Sequence, residues 1–180
     1  MATVNWTGEI LAQLRFYWDY SLWPRLEGLT DAEFHWEPVP NAWGVRPGPD
    51  GRFHPDRIVP EPDPPPVTTI AWRLGHIVVE LLEQRDDRHF GDGTFGDVAW
   101  PGTADQARRR LRRAYLSWSD HVAALDEEGL AAPVGGAEST EWADFPMVAL
   151  ILHVQREVVH HSAEVLLLRD LYRAGLGPTA

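Results

Sequence analysis

The chain contains no cysteine. That one absence removes disulfides, thiolate metal ligands and a cysteine nucleophile together. It fits a reducing compartment, and a cytoplasmic location is the expectation. The opening residues MATVNWTGEI lack a basic stretch followed by an apolar run, so no secretory signal is expected. Uninterrupted apolar runs of membrane-spanning length are also missing, because His, Arg and Glu break the apolar stretches of the C-terminal part. Basic charge is in deficit. A formal net charge of −11 argues against neutralising nucleic-acid phosphates, which requires a basic surface. Strand signals are few, and neither an internal repeat nor a low-complexity tract is present.

What remains is apolar and aromatic. An apolar content of 44% with nine Trp in 180 residues suits a globular core. A chain of this length buries about 70% of its unfolded surface as one domain. Residues 1–180 are therefore read as a single domain.

The segment Phe145–Ala174 (FPMVALILHVQREVVHHSAEVLLLRDLYRA) organises the rest. Its only proline is Pro146, tolerated in a first helical turn, and Gly175 fits the residue past a helix end. It reads as one helix about 45 Å long. Three further helices precede it. The first runs to about Leu26 from a cap at Asn5 or Thr7, with Pro24 able to bend it. The second covers Ile70–His89 behind Thr68 or Thr69. The third covers Ala104–Glu128 behind Thr103. Gly28–Pro66 is a long Pro/Gly-rich crossing in which Thr30–Asp31 opens a short turn. Trp36 and Trp43 are expected to anchor it. The architecture expected is all-α: an antiparallel four-helix bundle with this crossing between helices one and two. Arg108, Arg109, Arg110, Arg112 and Arg113 on the third helix read as a solvated face paired with acids.

The middle of the last helix conflicts with an ordinary core. His153, Glu157, His160, His161 and Glu164 stand among Leu, Val and Ile, where ionisable groups are costly unless paired or coordinated. With His153 at zero on a helical wheel, Glu164, Glu157 and His161 fall at about 20°, 40° and 80°. Leu150 and Leu168 share that arc. Gln155, Arg156, Ser162, Arg169, Asp170 and Arg173 lie opposite. The acids and histidines are thus expected to face the packing side. Glu157 and His161, four residues apart, can share one metal ion, or can be a buried pair satisfied by hydrogen bonds. A third ligand must come from another helix. His76 is the candidate, with Gly75 beside it allowing a neighbouring helix close. The wheel, however, groups His76 with Arg73, Glu80, Glu83 and Gln84 on a polar arc, where an ordinary surface histidine also fits.

PVTTIAWRLGHI around His76, with HVQREVVHHSAEVLLLRDLY around Glu157 and His161, resembles the DinB-like superfamily of four-helix bundle proteins. The nearest likeness is to its actinobacterial branch. The W-x-P-x-P crossing at Trp36–Pro40 and the opening helix extend the resemblance over most of the chain. It implies a divalent metal, usually zinc or nickel, on one His of the second helix and a four-spaced pair on the last. By motif these are His76 and, before the tripeptide Ser162-Ala163-Glu164, His161. The partner position, commonly His in the family, here holds Glu157, as in the similar mycothiol-dependent maleylpyruvate isomerases. His153 and His160 then become neighbours of the ligands, and Glu164 an orienting group.

The resemblance further implies a metal-dependent enzyme that uses a low-molecular-weight thiol such as mycothiol, of thiol S-transferase or isomerase type. The alternative is a non-catalytic bundle that binds a small molecule or acts through a dimer surface. A small-molecule substrate is expected, with no nucleic acid and no membrane. Dimers occur among similar proteins, so a homodimer is open to this one.

Overall fold

A computed structural model describes residues 4–136, 138 and 141–177. Asn5 opens the first helix, its side chain accepting from the Gly8 amide at 3.0 Å. This helix, α1, runs Trp6–Tyr17, passes through a π-helical stretch Trp18–Leu22, and finishes as Trp23–Arg25. Pro24 does not break it. A proline at that position cannot donate to the preceding turn, and the wider π turn just before it takes up the mismatch. Leu11, Leu14, Trp18 and Leu22 form its buried face.

Thr30 caps α2 (Asp31–Phe34), accepting from the Glu33 amide at 3.2 Å. The crossing that follows is not wholly irregular. Strand β1 (Val45–Pro47) pairs antiparallel with β2 (Phe53–Pro55), with Arg46 opposite His54. The Gly48 amide donates to the Arg52 carbonyl at 2.7 Å, and Gly51 takes a φ of +74° that suits glycine. Strands of three residues ending in proline carry no readable alternation, so the pattern of the Pro/Gly-rich crossing gives no sign of the hairpin.

Trp43 ties this segment down through its backbone, donating to Val67 and accepting from the Thr69 amide. Trp36 meets Tyr172 edge-on at 5.6 Å.

Helix α3 begins behind Thr69, whose hydroxyl accepts from the Trp72 amide. It comprises Ile70–Gly75, a π-helical stretch His76–Glu83, and Gln84–Phe90. Helix α4 (Ala104–Ala123) is capped by Thr103. The expected continuation to Glu128 is interrupted, because Asp126 caps a separate short helix, α5 (Glu127–Ala131). Helix α6 covers Met147–Leu171, with Pro146 as its cap, and ends in a π turn Tyr172–Leu176 where Gly175 has φ +92°. Among the described residues the chain thus holds six helices and a two-stranded sheet. Helix α3 packs on α4 and α6, and α1 packs on α4 and α6. No helix among the described residues is long and apolar enough to cross a membrane.

The arginine-rich face of α4 is paired with acids in part. Arg109 meets Asp105, Arg110 meets Glu83, and Arg108 and Arg112 lie over the Trp23 ring.

One expectation about α6 is overturned. Gln155, Ser162 and Arg169 are buried, not turned to solvent, and they share the core face with Ile151, Val154, Val158 and Val165. The buried arc is therefore centred near 140° on the same wheel, and the acids and histidines lie on its flank. A buried arginine is tolerated there because Arg169 is fully engaged. Its Nε and Nη2 donate to Glu33 at 2.6 and 3.1 Å. Its remaining hydrogens go to the carbonyls of Arg25 and Glu27. This pairing pins α6 to the end of α1 and to α2.

Candidate metal centre

The polar arc of α3 and the polar flank of α6 face each other and form a seam at the edge of the core. His76 is on one side and His161 on the other, with ring centroids 4.9 Å apart and planes crossed at 82°. Both side chains are largely sheltered, at 19% and 11% exposure. The polar position of His76 on its helix therefore faces the other helix of the seam.

Each imidazole is held at Nδ1 by a carboxylate on its own helix. His76 Nδ1 lies 2.6 Å from Glu80 Oε2, and His161 Nδ1 lies 2.8 Å from Glu164 Oε2. A carboxylate only accepts, so in each of these pairs Nδ1 carries the hydrogen, and in the neutral ring this leaves Nε2 as the ligating nitrogen. Glu80 is fixed in turn by Arg57 Nη2 at 2.6 Å. Glu164 is fixed by Arg73 Nε at 3.0 Å, which brings Arg73 Nη1 to 3.2 Å from His161 Nδ1. On the opposite side of the ring, His161 Nε2 is 3.4 Å from Glu157 Oε2. His161 thus touches His76, Glu157 and Glu164.

Burial dominates the electrostatics. It lowers the pKa of His161, against the hydrogen bond that His161 donates to Glu164, and His76 and Arg73 lower it further. It also lowers the Arg73 value, against Glu164. Burial raises Glu80, but the bonds and charges of His76 and Arg57 outweigh it and leave its carboxyl below the ordinary range. Burial and neighbours thus favour the charged form of Glu80 and the neutral form of His161, and neutral imidazole is the form that ligates a metal.

Not all the flagged residues join the centre equally. His160 is 63% exposed, yet its Nε2 is 3.6 Å from Glu164 Oε1. His160, His161 and Glu164 form a group whose ligand atoms all lie within 4.8 Å of one another. His153 stands one turn away, with Nδ1 3.8 Å from Glu157 Oε1 and 2.7 Å from Arg156 Nη2, which donates to it.

Sequence reasoning missed Arg57, Arg73 and Trp72 as parts of this site. Trp72 stacks on the His76 ring at 5.4 Å and 20°, and its Nε1 donates to the Asp56 carbonyl at 3.0 Å. The grouping of Arg73 and Glu80 with His76 on one arc was the available signal. Gly75 admits a loop side chain where a helix was expected: a Cβ there would lie 2.2 Å from Trp100 Cε3. Trp100 in turn packs against Trp72, so the aromatic wall behind His76 depends on that glycine.

No curated protein and no solved structure matches the chain. The family model described as DinB superfamily matches residues 13–165. That span takes in most of α1, the crossing, α3 and most of α6, and the chain belongs to the DinB superfamily.

Proposed function

We propose that the seam holds one divalent metal ion on His76, Glu157 and His161, and that the protein is a metal-dependent enzyme using a low-molecular-weight thiol. The observation that carries the metal reading is the pairing of each Nδ1 with a carboxylate. Such carboxylate–histidine pairs orient ligating imidazoles and raise their basicity. With Nδ1 of His76 and His161 engaged by Glu80 and Glu164, both histidines offer Nε2. His161 Nε2 has Glu157 beside it. Two imidazoles and a carboxylate form a set that zinc accepts, with a position left for an exogenous ligand. Nickel is accommodated by the same donors.

The group His160, His161 and Glu164 is a second arrangement, and its ligand atoms are already close. It would use the side of His161 where the Arg73 guanidinium now sits. A metal there must displace that cation, and this favours the Nε2 side.

The thiol reading comes from the family resemblance together with the absence of cysteine. A bound divalent ion lowers the pKa of a coordinated thiol and so supplies a nucleophile that the chain lacks. The chain's own part is to hold His76 between Trp72 and Glu80, to favour the neutral form of His161, and to back the His76 ring with Trp72, itself packed on Trp100. Glu157 in place of the commoner histidine makes the site more anionic, as in the mycothiol-dependent isomerases. The reaction proposed is thiol transfer to an electrophile or a thiol-assisted isomerisation, in a single four-helix domain. The test is consumption of a general electrophile by zinc- or nickel-loaded protein with and without mycothiol. Thiol-dependent turnover that is lost in His161→Ala supports the assignment. Turnover that ignores the thiol, or none at all, contradicts it.

A further inference from the structure

Beside the seam, on the side of His153, lies a cavity of about 490 Å³. Its walls are apolar, with Trp142, Phe145 and Leu150 prominent, and its polar lining comprises Arg85, Glu138, His153 and Arg156. Trp142 and Phe145 stand 50% and 45% exposed, their rings 5.1 Å apart at 51°. Two large exposed aromatics on the wall of a cavity offer apolar surface that a ligand can cover.

The charges are unequal in their engagement. Glu138 is only 10% exposed and is gripped by Arg85, Arg88 and His89. Its charge is therefore compensated. Arg85 Nε is buried without a hydrogen-bond partner among the described residues. Arg156 is 69% exposed and reaches Glu157 only at 3.3 Å. Its shortest contact is the neutral acceptor His153 Nδ1. Arg156 thus has donor capacity to spare on an apolar cavity that the Glu138-bound Arg85 also lines, in a chain whose net charge of −11 opposes multiply charged anions.

We infer that this cavity binds a singly charged organic carboxylate with an apolar or aromatic body, seated against Trp142 and Phe145 with its carboxylate on Arg156 and Arg85. Guanidinium forks match carboxylates in a paired geometry that a lysine could not supply. The volume lies within the range of small-ligand sites. The inference stands on the cavity alone and goes beyond the metal reading.

The test is calorimetric titration of the full chain with 4-phenylbutyrate, and with 4-phenylbutanol and 4-phenylbutylamine as neutral and cationic counterparts. The acid is expected to bind about tenfold or more tightly than either. Arg156→Met and Trp142→Ala are exposed-residue changes, checked for unaltered thermal unfolding, and each is expected to weaken the acid by a similar factor. The same titration on His161→Ala separates this site from the metal centre, and unchanged binding is expected. Equal affinity for acid and alcohol, preference for the amine, or indifference to Arg156→Met would overturn the inference. So would loss of binding in His161→Ala, which would place the carboxylate on the metal.

Discussion

Glu80 Oε2 accepts from His76 Nδ1 at 2.6 Å across one turn of α3, and the same carboxylate is anchored by Arg57. That link fixes which nitrogen His76 presents to the seam. Glu80→Gln is expected to leave His76 in place but to weaken metal binding about 10- to 100-fold, the usual cost of losing such a partner. Competition with a chelator of known affinity measures this. An unchanged affinity would remove Glu80 from the site.

Arg169 and Glu33 form a buried ion pair at 1% and 4% side-chain exposure. Arg169→Met fills the space but strands the Glu33 carboxylate and the Arg25 and Glu27 carbonyls. Removing one partner of such a pair costs about 3–5 kcal/mol. Urea unfolding should show a loss of that size, and a loss below about 1 kcal/mol would mean that the pair is effectively solvated.

At Gly75 the expected effect is steric. Ala gains up to about 1 kcal/mol of helix propensity, but its Cβ would meet Trp100 Cε3 at 2.2 Å. Overpacking typically costs about 1–3 kcal/mol. Gly75→Ala is expected to be net destabilising in thermal unfolding and to weaken metal retention by displacing the wall behind His76. A stabilised variant would show that Trp100 moves aside freely.

Glu138 supplies a pH dependence. Burial pushes its carboxyl up, but Arg85 and His89 outweigh this and hold it at about 2, against about 4.3 for a free glutamate. A lowered folded-state value means that its contribution is fully present above the unfolded value. The contribution is lost as pH falls from about 4.3 toward the folded value of about 2. The stability difference between the parent and Glu138→Gln should therefore shrink across that window and stay flat above about pH 5. A difference that does not change below pH 5 would contradict the ion-pair assignment.

Much of the fold and part of the site were legible in the sequence. Caps at Asn5, Thr30, Thr69 and Thr103, and the left-handed Gly175, are local signals and stand where expected. The hairpin was not legible because three-residue strands have no period. The core face of α6 was misjudged because a wheel centred on His153 counts Arg169, Ser162 and Gln155 as polar, whereas Glu33 makes a buried Arg169 admissible. The contact between His76 and His161 is a tertiary fact. No periodicity on either helix encodes that two polar flanks will meet.

Metal content of the purified and reconstituted protein tests the central claim most directly. The expected result is about one zinc or nickel ion per chain in the parent. It should be lost in His76→Ala, Glu157→Ala and His161→Ala and kept in His160→Ala. A parent that retains no divalent ion after reconstitution would contradict it, as would an ion indifferent to His76 but dependent on His160.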